Sequence, residues 1–175
     1  MPGPIFLESD DVELRTVERE DLEFCQQTLN DPDVRHGLAV TDPLTSDDEE
    51  EWYEGRVVES DDVHLLVCDD GEAVGMVGLN SVNGTAGNAE LGYWIAPEYH
   101  RNGYATAAAR LLVDYAFAER RLHKVYANAF AFNEGSQRVL EKAGFDREGV
   151  HRDQRYVDGE YVDVYRYGLV ATDWD

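Results

Sequence analysis

The sequence predicts an α/β (α+β) fold, a mixed sheet with helices on its faces, and three observations predict it. Segments with strand-like alternation and segments with helical periodicity follow one another along the chain without a strict βαβ repeat. The chain has 175 residues, 43% of them apolar, including three Trp, ten Tyr and six Phe. That is enough to bury a sizeable core, which excludes disorder in spite of the charge. No repeat, low-complexity stretch or linker divides the chain, so residues 1–175 are expected to form a single domain.

The elements follow in order. A short strand is expected at Ile5–Leu7 and another at Val12–Val17, where Val12 and Leu14 alternate with charged neighbours. A first helix runs from about Glu18 to Asn30 with Leu22, Cys25 and Leu29 on one face, and Asn30-Asp31-Pro32 reads as its stop. Residues 31–44 read as a loop. A second helix starts at Ser46, which has the capping-box spacing to Glu49, and runs to about Glu59. Val63–Cys68 and Ala73–Leu79 form a hairpin around Asp69-Asp70-Gly71. After a loop at residues 83–88, AELGYWIAP is an apolar strand ending at Pro97, and EYHRNGYAT leads into a helix reaching about Arg120. Lys124–Phe130 is a strand, and Asn133–Ala143 is a helix closed by Gly144. The tail holds strands at about Phe145–Arg152 and Gln154–Leu169, the second broken by a turn at Asp158-Gly159.

Composition bounds the function. There are 37 acidic residues against 15 basic ones, a net charge of −22, and only Lys124 and Lys142 are lysine. Nucleic-acid binding is disfavoured, because neutralising phosphates needs basic patches. No apolar run approaches a membrane span, and MPGPIFLESDD lacks the basic and apolar regions of a signal peptide. Two cysteines, Cys25 and Cys68, make no disulfide framework, and His64, His123 and His151 have no metal-ligand spacing, so no metal site and a cytoplasmic location are expected. The acids are spread along the whole chain. That favours solvation in high salt over attraction of a basic substrate, and lysine depletion beside acid excess resembles proteins of salt-accumulating microbes.

The segment from Glu90 to Tyr115 carries the strongest chemical signal. It has neither GxxxxGK[ST] nor GxGxxG. A helix starting near Gly103 still offers unpaired backbone N–H groups to an anion, with Arg101 beside it. An ordinary strand-to-helix turn with a glycine explains the same residues. The stretch Tyr99–Arg110 contains two arginines, a histidine and no acid, a gap in the acidic pattern where an anion can dock.

WIAPEYHRNGYAT resembles the pyrophosphate-binding motif of the GNAT superfamily of acetyl-CoA-dependent N-acetyltransferases. The pattern [QR]xxGx[GA] is carried by His100-Arg101-Asn102-Gly103-Tyr104-Ala105, with His in place of the first Gln or Arg. NEGSQRVLEKAGF, from Asn133 to Phe145, resembles the family's second motif beside the coenzyme arm, and LRTVEREDLE, NDPDVRHGL and YVDGEYVDVYRYGL are similar to its RimJ/RimL branch. The resemblance implies a mostly antiparallel central sheet of about seven strands with helices on both faces. It implies acetyl-CoA as cosubstrate and no metal. It implies that the backbone of Trp94, Ile95 and Ala96 meets the pantetheine and thioester. The amides of Arg101, Asn102, Gly103, Tyr104, Ala105 and Thr106 would meet the pyrophosphate, and Asn133 the pantetheine. Asn133 also reads as a helix N-cap, and a homodimer is implied by the resemblance alone.

For acyl transfer, the N–H of Ile95 is the expected oxyanion donor. Glu90 is the candidate base, a carboxylate in an otherwise apolar strand; a paired structural carboxylate is the alternative. Many relatives place a tyrosine seven residues after the motif Asn and some a glutamate five residues before it. Here those positions are Leu140 and Asn128. Ser136 fits the serine of the RimJ/RimL-like branch as hydrogen-bond donor to the leaving sulfur. An α-amine, with a pKa of about 7.7–8.0, is about one-tenth neutral at pH 7, whereas lysine is almost wholly charged. Sparse acid–base residues therefore point to the N-terminal α-amino group of a protein or peptide. The alternatives are a small-molecule amine (antibiotic, amino acid or polyamine) and a non-catalytic acyl-CoA-binding module. The acceptor pocket is expected from the first helix, residues 31–44 and the tail hairpin, with Arg35, His36, Tyr156 and Tyr161 as contacts more often structural than functional.

Overall fold

The structure is a computed structural model that describes residues 2–175. One eight-stranded sheet runs through it in the order β1-β2-β3-β4-β5-β6-β8-β7. The strands are β1 (Ile5–Glu8), β2 (Glu13–Thr16), β3 (Val63–Asp69), β4 (Glu72–Asn83), β5 (Asn88–Ile95), β6 (Lys124–Phe130), β7 (Asp146–Val157) and β8 (Glu160–Val170). The expectation of about seven strands is one short. All neighbours pair antiparallel except β5 and β6. The β3–β4 hairpin turns on Asp70 and Gly71 with φ of 49° and 81°, the left-handed pair a two-residue hairpin loop requires.

Helices cover both faces. On one, α4 (Tyr104–Ala118) presses Ala108, Ala109, Leu112, Val113 and Ala116 onto the sheet, and α5 (Glu134–Lys142) adds Leu140. Small residues on α4 let it lie close to the strands, where Leu79, Leu91, Val125 and Ala127 meet it. On the other face, α1 (Leu22–Leu29) and α3 (Ser46–Trp52) cover β2 to β4, with Leu22, Cys25, Leu66, Cys68 and Met76 between them. A π-helical turn, Tyr53–Val58, continues α3.

Four expectations are corrected. Residues 31–44 are not all loop: α2 spans Pro32–Leu38, with Asp31 as N-cap accepting the Asp33 N–H at 2.9 Å. Proline is tolerated at the first helical position, where its missing N–H costs nothing, so Asp31-Pro32 starts a helix as well as ending one. The first helix is a 3-10 turn at Arg19–Asp21 followed by α1. The capping box of α3 lies one residue earlier than expected. Thr45 and Asp48 form it, the Thr45 N–H donating to Asp48 at 2.7 Å and the Asp48 N–H to Thr45 Oγ1 at 3.3 Å. Glu49 is thereby turned inward. In the tail, β7 continues to Val157 through an irregularity at Asp153, whose φ is 48°, and the chain reverses at Asp158-Gly159. No helix among the described residues is long and apolar enough to cross a membrane.

Candidate active site

The site begins where the sheet divides. β5 and β6 pair from Asn88–Lys124 to Glu90–Tyr126 and then separate. The gap opens into a cavity of about 810 Å³, towards the large end of the roughly 300–1,000 Å³ of small-ligand sites. Backbone groups alternate sides along a strand. The Ala96 N–H donates to the Val74 carbonyl at 2.9 Å, on the β4 side. Ile95, one residue earlier, therefore directs its N–H into the gap, where an oxyanion donor is needed. Its carbonyl lies 2.7 Å from His100 Nε2, which gives the departing first residue of the phosphate motif a contact of its own. The expectation for Ala96 is corrected: its carbonyl also accepts the Tyr99 N–H at 2.9 Å, so both its backbone groups are spent within the chain. Trp94 shares the backbone direction of Ala96 and packs its ring 5.7 Å from that of Phe24.

The loop after β5 is shaped for an anion. Arg101 and Gly103 have φ of 67° and 79°, and Gly103 is the N-cap of α4 with no side chain capping it. The first-turn amides of Tyr104, Ala105 and Thr106 are left for an external acceptor, and all three residues line the cavity with Arg101, Asn102 and Gly103. No acid stands in that turn, while Arg138 and Lys142 of α5 join Arg101 on the wall. Side chains hold the loop from behind. Tyr99 donates to Glu72 at 2.7 Å, Tyr104 to Asp69 at 2.5 Å, and Asn102 Nδ2 to the Tyr99 carbonyl at 3.0 Å. The bond to Glu72 pushes the Tyr99 phenol up to about 12, so it stays a donor. These groups suit a pyrophosphate, as the motif implies.

Asn133 caps α5, its Oδ1 accepting the Ser136 N–H at 3.0 Å, and it lines the same cavity. Ser136 lies beside a residue the sequence reading passed over: Tyr93, whose hydroxyl is 2.8 Å from Ser136 Oγ and 3.1 Å from the Ser136 carbonyl. Burial pushes the Tyr93 phenol up to about 12. Alternation along β5 carried the signal, since Leu91, Tyr93 and Ile95 share a face, but only α5 decides what that face meets. Leu140 is fully buried. Glu90 is partly exposed, lines the cavity, and accepts from Asn128 Nδ2 at 2.9 Å, with Arg166 Nη1 3.4 Å from Asn128 Oδ1.

A second cavity of about 330 Å³ adjoins the first through Leu38, Gly92, Tyr93 and Trp94, which line both. It lies between the sheet and α1 and α3, with Leu44 from the segment after α2, while the tail hairpin takes no part. Tyr156 and Tyr161 instead stand 58% and 68% exposed with their rings 5.3 Å apart. Arg35 donates to the Val40 carbonyl, and His36 contacts Asp158 at 2.8 Å, tying α2 to the hairpin tip. Cys25 lines the second cavity, but burial pushes its thiol up to about 12, which keeps it protonated and unsuited to carry an acyl group. Glu49 and His64 also line it. Burial holds the Glu49 carboxyl above its ordinary value and the His64 imidazole below its own. No group of His, Cys, Asp and Glu among the described residues is arranged to hold a metal ion.

A sheet parted beside an uncapped helix N-terminus has room for an extended arm ending in an anionic group, the arrangement that the resemblance to acetyl-CoA-dependent transferases implies. The model of the acetyltransferase (GNAT) domain matches residues 11–146, and the chain belongs to this family of acetyl-CoA-dependent N-acetyltransferases. It is 42% identical over 106 residues to YdaF of Bacillus subtilis, whose name proposes a ribosomal N-acetyltransferase; the match covers 61% of this chain and 58% of that protein. It is 32% identical over 156 residues to the spermidine N(1)-acetyltransferase of Escherichia coli, covering 89% of this chain and 83% of the relative. The crystal structure of spermidine N-acetyltransferase from Vibrio cholerae, in complex with CoA and spermine, superposes with a TM-score of 0.88 at 27% identity, covering 95% of this chain and 99% of that one.

Proposed function

We propose that the protein transfers the acetyl group of acetyl-CoA directly to an α-amino group, that of a protein or peptide N-terminus or of a small α-amine. The observation that carries this reading is the thin acid–base equipment of the parted strands: β5 and β6 carry one carboxylate, Glu90, beside Asn128, and there is no phenol at Leu140. Such a site suits an amine already about one-tenth neutral at pH 7. Glu90 takes the proton that the amine releases, the Ile95 N–H meets the developing oxyanion, and the amides of residues 101–106 and Asn133 hold the coenzyme.

Ser136 and Tyr93 serve the leaving sulfur. With the Tyr93 hydrogen on the Ser136 carbonyl, the phenol oxygen accepts from Ser136. With that hydrogen on Ser136 Oγ, the serine hydrogen is free to point at a thiolate. Burial holds the Tyr93 phenol up at about 12, which favours a hydrogen bond over outright proton transfer to the thiolate. The pair therefore acts by hydrogen bonding.

The small volume of the second cavity, about 330 Å³, supports a small amine as acceptor, and the spermidine acetyltransferase relatives support the same second reading. Initial rates on a peptide with a free α-amine and on its N-blocked counterpart with a free lysine test the proposal. The α-amine is expected to react faster, and a faster lysine reaction sinks it.

A further inference from the structure

The cavity beneath α3 contains a carboxylate with nothing to pair with. Glu49 is only 4% exposed, and among the described residues no hydrogen bond or ion pair reaches its side chain. Its neighbour Asp48 is spent on the capping box with Thr45. Among the described residues no Lys or Arg lines the cavity. Across the floor, His64 has an Nε2 sealed from solvent with no hydrogen-bond partner, and its ring packs 5.1 Å from that of Trp52. The floor itself is low because Gly78 and Gly92 face one another in the β4–β5 ladder. A Cβ on Gly78 would lie 2.8 Å from His64 Nδ1, and one on Gly92 would lie 3.0 Å from Asn80 Nδ2.

A carboxylate taken out of water must find a cation or keep its proton. Among the described residues no Lys or Arg lines the cavity to supply that cation, which leaves room for a partner from outside. The walls limit what it can be: Leu29, Trp52, Met76 and Trp94 are apolar or aromatic, and aromatic faces attract an ammonium as well as its alkyl substituents. The volume lies at the small end of ligand sites. Gly92 and Trp94 belong to both cavities, so an occupant anchored at Glu49 reaches the parted strands.

We propose that Glu49 is the cation anchor of the acceptor, and that the acceptor is a small primary ammonium with an apolar or aromatic flank, seated over Gly78 and Gly92 between Trp52 and Trp94. The proposal rests on the acetyl-transfer reading and names the acceptor class of that same site. It concerns binding and selection; no bond is made or broken at Glu49. Glu49 draws in the ammonium form, which predominates at neutral pH, and the same nitrogen gives up its proton to Glu90 only after it passes from this cavity into the gap. The carboxyl raised by burial fits this role, since a bound cation restores its ionised form.

Calorimetric titration of the full chain with phenethylamine, and with 2-phenylethanol as its neutral counterpart, tests the proposal. Wild type is expected to bind the amine, Glu49→Gln to bind it at least tenfold more weakly, and both to bind the alcohol alike. Glu49→Asp, which keeps the charge one methylene short, is expected to fall between. A Glu49→Gln melting temperature at pH 7 no lower than wild type shows that the loss is not unfolding. Absence of amine binding to wild type, or equal amine affinity in wild type and Glu49→Gln, overturns the proposal. Glu49-dependent amine binding without acetyl transfer to any amine supports the anchor while sinking the transfer reading. Transfer with Glu49-independent amine affinity does the reverse.

Discussion

The two sides of β5 are built from different materials. On the proposed coenzyme side the groups that face the gap are backbone amides: Ile95 at the parted strand, then those around a left-handed bend at Arg101 and Gly103. Side chains there stand behind the amides, as Tyr99 and Tyr104 do with Glu72 and Asp69. On the proposed acceptor side the cavity is lined by side chains from separate elements, Glu49 of α3, His64 of β3 and Trp94 of β5, collected around two glycines. Backbone sites demand particular residues in a row, since only glycine bends freely and only small neighbours permit close approach. Side-chain pockets demand only that distant residues meet. The coenzyme half therefore leaves a motif and the acceptor half does not.

This contrast can be broken at either half. Gly103→Val has open space for its side chain but must hold a φ of 79°, a conformation that costs an ordinary residue about 1–2 kcal/mol. The bend is expected to relax, raising the KM for acetyl-CoA about tenfold while the KM for the amine stays near wild type. Steady-state kinetics with each substrate varied checks this, and an equal rise in both values would remove the division between the halves.

A smaller effect is expected where the halves meet. Tyr93→Phe keeps the ring and removes the hydroxyl beside Ser136, at a cost of about one hydrogen bond, roughly 0.5–1.5 kcal/mol. A threefold to tenfold fall in kcat at unchanged KM for acetyl-CoA is expected. The double variant with Ser136→Ala should be no slower than Ser136→Ala alone, because the phenol acts through the serine. Multiplying effects would mean that Tyr93 acts separately.

The smallest effect concerns stability. The Glu49 carboxyl is held above its ordinary value by burial, so the folded state binds that proton more tightly than the unfolded one. Stability then falls as pH rises from the ordinary glutamate range through the raised value. Glu49→Gln lacks this slope. Its melting temperature should exceed wild type at pH 7. Below about pH 4, where both side chains are neutral, the difference should vanish. Thermal melts across pH measure it, and a Glu49→Gln protein less stable than wild type at pH 7 would show the carboxylate to be paired.

Legibility followed the same division. Strand β6 was read with its observed bounds, because Lys124–Phe130 is a single half-buried run with turn residues on both sides. Helix α5 was legible from Asn133 at its start and Gly144, with φ of 102°, at its end. Helix α2 was missed because Asp31-Pro32 serves both to stop a helix and to start one, and a seven-residue helix is too short for periodicity to decide. Ser46 and Glu49 matched a capping box as well as Thr45 and Asp48 do. That one-residue ambiguity decides whether Glu49 is tied to the backbone or turned into a cavity.

By itself the sequence determined the fold class and the family and marked the proposed coenzyme half of the site, because local spacing controls where a backbone bends and leaves its amides unpaired. The gap in the acidic pattern at Tyr99–Arg110 belongs to that half, and Arg101 is on its wall. Tertiary structure alone decided that Ala96 is spent on Val74 and Tyr99, that Tyr93 meets Ser136, and that Glu49 and His64 share a cavity. Each of these depends on which groups face one another across separately folded elements. Burial and pairing are properties of that juxtaposition, and no stretch of the chain contains them.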